Sequence, residues 1–139
     1  MNQHRTLDKA SLSQLIAGCC QEQTQISTKR GCCFELFRCA LVLGDDRAWS
    51  ALQQQYYPLF VCWVLESVGV GVDHFVVDDL LHIALERFWS CLSAGERPLA
   101  ERFACTGELL KYIKQCIKSA CREWQRLCRR IQRVFEWEE

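Results

Sequence analysis

Only two of the 139 residues are proline, one is methionine and three are histidine. So few prolines leave long stretches of backbone free to run as helix, because each proline removes a donor and breaks an interior turn. The histidines (His4, His74, His82) stand far apart and no CxxC pair occurs, so the sequence has no zinc-ligand spacing and no metal is expected. No apolar run approaches the roughly 18 residues of a membrane-spanning helix, and no membrane partner is expected. The amino-terminal MNQHRTLDKASLSQ is polar rather than signal-like, which points to a cytoplasmic chain. Net charge is absent too, with 17 basic residues against 17 acidic. No glycine-rich phosphate loop and no nucleophile paired with a base can be found, so neither an enzyme nor a cofactor site is expected.

What is present is hydrophobic residues, 50% of the chain, and eleven cysteines. The cysteines include the adjacent pairs Cys19-Cys20 and Cys32-Cys33 and fall mostly inside helical apolar patterns. There thiols act as small hydrophobes, so they are expected to be reduced and structural. The length suits one domain with a substantial core. We read residues 1–139 as that domain: an N-terminal helical extension over 1–31, a core over 32–134 and a tail over 135–139.

Helical periodicity dominates, and the class is all-α: a bundle of about five helices ending in a long basic one. Leu12, Leu15, Ile16 and Cys19 share one face of a helix over 9–25, with Ser11 as its cap. A polar connection, QISTKRG, ends at Gly31. A short amphipathic helix over 32–44 closes at Gly44. Asp45 or Asp46 caps a third helix over 47–66, whose buried stripe is Trp49, Leu52, Tyr56, Leu59, Phe60 and Trp63, with a kink at Pro58. A loop containing Gly69 and Gly71 precedes a fourth helix over 73–92 with acidic residues near its start. Residues 93–107, holding Gly95, Pro98 and Gly107, read as a long, partly ordered loop. The last helix covers 108–134, about 40 Å, with an apolar stripe of Leu109, Ile113, Cys116, Ala120, Trp124, Leu127 and Ile131.

The charge is unevenly placed. Within 108–134 stand Lys111, Lys114, Lys118, Arg122, Arg126, Arg129, Arg130 and Arg133 against only Glu108 and Glu123, a net +6, and the remainder of the chain carries −6. Such asymmetry speaks of partners rather than fold. A solvated face is the plain alternative, and a basic helix for a calmodulin-type partner or a membrane surface is another. Few glutamates stand one turn away to neutralise these cations, and Tyr112, Ser119 and Trp124 are interleaved with them. Such residues can stack on or hydrogen-bond to unpaired bases, which favours a phosphate backbone. On the fourth helix, Asp78 and Asp79 lie one turn before His82, where a carboxylate can orient the imidazole. With no second catalytic group, that reads as a surface contact, and the acidic face as solvated.

In order and spacing, DDRAWSALQQQYYPLFVCWV, VDDLLHIALERFWSCL and LLKYIKQCIKSACREWQR resemble region 2 of extracytoplasmic-function sigma factors, the bacterial subunits that direct RNA polymerase to promoters. SLSQLIAGCCQEQ and CCFELFRCAL are similar to the amino-terminal extension of a sigma-like subgroup, so the resemblance covers roughly residues 11–130. It implies a non-enzymatic transcription initiation module that binds core RNA polymerase and melts the promoter minus-ten element. Asp78, Asp79, His82, Glu86 and Arg87 match the surface that docks on the β′ clamp helices, and Phe88 and Trp89 its core side. Residues 112–126 match the helix that reads the single-stranded non-template strand, with Lys118, Ser119, Arg122 and Arg126 facing it. Lys111, Lys114, Arg129 and Arg130 extend that DNA-binding set. Arg97, Glu101, Arg102 and Phe103 match the loop that captures a flipped base, with Arg102 and Phe103 at the DNA. An anti-sigma factor is a further implied partner.

The chain departs from the family in having His82-Ile83 where Gln-Glu is usual and Ser119 where asparagine is common. It also ends at Glu139, where family members continue into a second helical domain. Two alternatives stand beside this reading: a sigma-like protein–protein interaction module without promoter melting, and a helical protein that binds nucleic acid nonspecifically.

Overall fold

Helix boundaries follow from where each segment finds a side chain or a glycine to satisfy its terminal backbone groups. The computed structural model describes residues 8–22, 31–93 and 99–137. Among them, five helices of ten or more residues and one single turn follow in order: α1 (Lys9–Glu22), α2 (Cys32–Leu41), α3 (Asp46–Val68), α4 (His74–Ser93), α5 (Leu99–Arg102) and α6 (Thr106–Trp137). No strand occurs among the described residues, and the fold is all-α as expected. Most of the connection before Gly31, and Gly95, Arg97, Pro98 and the end of the tail, lie outside the described residues.

Asp8 rather than Ser11 caps α1, its carboxylate accepting the Ser11 N–H at 2.7 Å, a bond that lowers the Asp8 pKa. Asp45 caps α3: it accepts the Arg47 backbone N–H at 3.0 Å and holds the Arg47 guanidinium, whose side-chain hydrogen bond pulls the Asp45 pKa down. This carboxylate is buried, and its own N–H donates to Cys39 O, so one residue ends α2 and starts α3. Gly44 just before it has φ +68°, a conformation that glycine adopts without the Cβ penalty. Asp73 caps α4 through the Phe75 N–H at 2.9 Å.

The described residues fall into two compact units. The first comprises residues up to Tyr57 together with Trp89–Lys111, and the second comprises Pro58–Phe88 and residues from Tyr112 onward. One boundary falls inside α3 at Pro58, where the helix continues without the N–H that proline lacks.

In the first unit, α2 is buried on nearly every face: Cys33, Phe34, Leu36, Phe37, Cys39, Ala40 and Leu41. Phe37 packs on Tyr56 and Trp49 on Trp89. α1 lies against α2, and Gly18 is what permits their approach, because a Cβ there would collide with Cys32. The expectation that all cysteines are free thiols fails at this contact: Cys19 and Cys33 form a disulfide between α1 and α2. The two sulfurs meet because both side chains point into the same seam, which periodicity in either helix alone could not reveal. No second disulfide occurs among the described residues. Burial raises the Cys39 pKa above the usual thiol value.

The second unit has its own core of Phe60, Val64, Val77, Leu80, Leu81, Ala84, Phe88, Ile113, Ile117, Ala120 and Cys121. Two expected stripes are corrected here. Leu59 of α3 is exposed rather than buried. In this unit the α6 seam runs through Ile113, Ile117, Ala120 and Cys121; Cys116 lies at its edge, and Leu127 and Ile131 are about half exposed. Every residue from Arg126 to Glu136 is exposed, so the last turns of α6 extend past their unit's core. No helix among the described residues is long and apolar enough to cross a membrane.

Candidate nucleic-acid interface

The 32 residues of α6 span about 48 Å at 1.5 Å per residue. Helical spacing places Ile113, Ile117 and Ala120 on one face and the cations on the other. In the second unit Lys118, Arg122, Arg126, Arg129, Arg130 and Arg133 are all exposed. Arg126, Arg129, Arg130 and Arg133 line a shallow cleft of about 230 Å³ with no carboxylate in its wall. Four guanidiniums on adjacent helical turns raise the local positive potential and present forked donors suited to phosphate oxygens. Arg133 was not among the expected contacts, although its i, i+3, i+4, i+7 relation to Arg126, Arg129 and Arg130 was visible in the sequence.

Other expected contacts are engaged within their own unit. The Lys114 ammonium lies 5.5 Å from the centre of the Trp63 ring, a cation–π contact, and Lys114 is half-buried. Tyr112 packs against Phe88 with ring centres 5.9 Å apart. Ser119 and Trp124 are half-buried, and the Arg122 side chain reaches back to Lys118 O at 3.3 Å. The Gln125 amide donates to Ser67 O at 2.8 Å, occupying a carbonyl in the last turn of α3. Lys111 is exposed but belongs to the first unit.

Arg102 and Phe103 also lie in the first unit, with the guanidinium 5.9 Å from the ring centre. Phe103 is only 9% exposed, so its ring is a core element; the expectation that it meets DNA is corrected here. Only the family resemblance set Phe103 at a flipped base, and burial, which is tertiary, sets its ring in the core.

On α4 the side chains of Asp78, Asp79, His82 and Glu86 are exposed on one face, with Phe75 and Ile83 exposed as well. His82 Nε2 lies 3.1 Å from Glu86 Oε1, one turn ahead. Arg87 pairs with Glu123 of α6, and that hydrogen bond lowers the Glu123 pKa. The one carboxylate in the middle of the cationic helix is thereby held by a cation from another element. No group of histidine, cysteine and carboxylate side chains suited to a metal occurs among the described residues.

No protein-family model, no curated protein and no solved structure matches this chain.

Proposed function

We propose that the chain is a sigma region-2-like transcription initiation module. In this reading α6 holds the single-stranded non-template strand of a promoter, and the exposed face of α4 meets core RNA polymerase. The observation that carries it is the arginine cleft of Arg126, Arg129, Arg130 and Arg133 at the end of a cation row starting at Lys118. A face kept soluble by charge alone would gain as much from alternating signs, whereas a cation row whose one carboxylate, Glu123, is paired with Arg87 favours a polyanion. Strand opening needs no covalent chemistry. Unstacking costs a few kcal/mol, which phosphate contacts and stacking of about 1–3 kcal/mol per captured base can offset.

A second reading is favoured by α4. Phe75 is 68% and Ile83 41% exposed beside Asp79 and His82, a mixed apolar and acidic surface suited to a protein partner without strand opening.

Two measurements separate these readings. Lys118→Glu, Arg122→Glu and Arg126→Glu together should abolish binding of a fluorescent single-stranded oligonucleotide; retained binding would reduce the row to a solvated face. Asp78→Arg with Asp79→Arg should lose capture of core RNA polymerase and leave oligonucleotide binding intact. If the folded wild-type chain captures no polymerase, the initiation reading fails.

A further inference from the structure

The cations occupy one side of the end of α6, and the opposite side is apolar and uncovered. Leu127 is 52%, Ile131 48%, Val134 57% and Phe135 64% exposed. With half-buried Trp124 they follow a 3-4-3 spacing, 124, 127, 131, 134, which is the a/d seam of a two-stranded coiled coil. The seam is continuous with the buried face formed upstream by Ile113, Ile117 and Ala120.

We propose that this seam docks a second copy of the same chain, the two α6 ends pairing in parallel through Leu127, Ile131 and Val134. Charge placement selects this occupant. Arg126, Arg129 and Arg133 stand at the outward positions of the heptad, so pairing brings no like charges into the seam. Gln125 and Gln132 stand at outward b positions as well. Arg130 takes a g position on one flank of the seam and Phe135 an e position on the opposite flank. Parallel pairing sets Arg130 of one copy beside Phe135 of the other, a cation–π arrangement, whereas antiparallel pairing opposes Arg130 to itself. A lipid surface fits less well: cations that snorkel to headgroups border the apolar face, but here most point directly away from it. Two heptads bury less than the roughly 1,200–2,000 Å² of a standard stable interface, so the pair is a reversible, concentration-dependent one. The inference is independent of what the cations bind.

The test is sedimentation equilibrium of the full chain from about 1 µM to about 1 mM, which spans association free energies of about −8 to −4 kcal/mol. Exposed Cys20, Cys62, Cys91 and Cys128 are replaced by serine throughout to prevent cross-linking. The weight-average mass should rise towards twice that of the monomer. Ile131→Asp and Leu127→Asp should remain monomeric at every concentration with unchanged far-UV circular dichroism. Val134→Leu, which places the preferred residue at a d position, should shift the midpoint severalfold lower. A wild-type chain that stays monomeric, an Ile131→Asp chain that assembles like wild type, or a Val134→Leu chain with an unmoved midpoint overturns the proposal. Co-sedimentation of a monomeric wild type with phosphatidylglycerol vesicles would overturn it in favour of lipid.

Discussion

Arg87 of α4 donates a hydrogen bond to the Glu123 carboxylate of α6, tying together two helices of the same unit. The pair does two things at once: it joins the helices at the surface, and it compensates a negative charge beside the cation row. Glu123→Gln should therefore weaken folding only slightly, as exposed ion pairs do, while raising affinity for single-stranded oligonucleotide, measured by fluorescence anisotropy at fixed salt. Unchanged or weaker binding would show that the Glu123 charge is not felt by the ligand.

Salt should reveal how many cations take part. Single-strand binding loses log affinity with log salt at about −0.7 per phosphate neutralised. If Lys118, Arg122, Arg126, Arg129 and Arg130 all engage, the slope approaches about −3.5. Arg129→Gln should reduce its magnitude by about 0.7, and Lys114→Gln by less, since Lys114 is committed to Trp63.

Acid should loosen α3 before it loosens the apolar core. The pKa of Asp45 is lowered in the folded chain, chiefly by the Arg47 side-chain hydrogen bond. Its contribution is therefore fully present above its ordinary value of about 4 and is lost as pH falls through the lower folded value. Asp45→Ala should cost about 0.5–2 kcal/mol at neutral pH, the usual loss of an N-cap, and flatten the fall in stability below about pH 4. Urea denaturation between neutral and acid pH measures both.

The α1–α2 seam offers a redox test. The Cys19–Cys33 bond closes a separation of 14 residues, for which loss of the link costs about 3 kcal/mol. Non-reducing peptide mapping should recover this pair, and reduction should lower the thermal midpoint. Cys19→Ser should lower it similarly and remove its sensitivity to reductant.

Core and seam should respond differently to truncation. Phe88 is fully buried, and Phe88→Ala should cost about 3–5 kcal/mol in urea denaturation. Phe135→Ala removes a ring of the same size from an exposed position. At dilution it should leave stability within about 0.5 kcal/mol of wild type.

Much of the architecture was written in local pattern. Gly44 and Asp45 mark the end of one helix and the start of the next because an αL glycine and a capping carboxylate act within a few residues. The cationic face of α6 was equally legible, since helical spacing alone brings residues three and four apart together. The choice between Cys116 and Ile117, the engagement of Lys114 by Trp63 and the burial of Phe103 were not, because each depends on a side chain from elsewhere in the chain.

By itself, then, the sequence determined that this chain is helical, where its five longer helices lie to within a few residues, and that cations and apolar residues occupy opposite sides of the last one. The single turn of α5 and the start of α6 at Thr106 fell in what the sequence reads as a loop. Only the tertiary structure decided how far the apolar side is used. The core of the second unit ends at Cys121, so the identical pattern is buried at Ile113 and Ile117 and open at Leu127 and Ile131. The physical reason is that periodicity fixes a residue's direction around a helix, whereas burial requires another surface to be there.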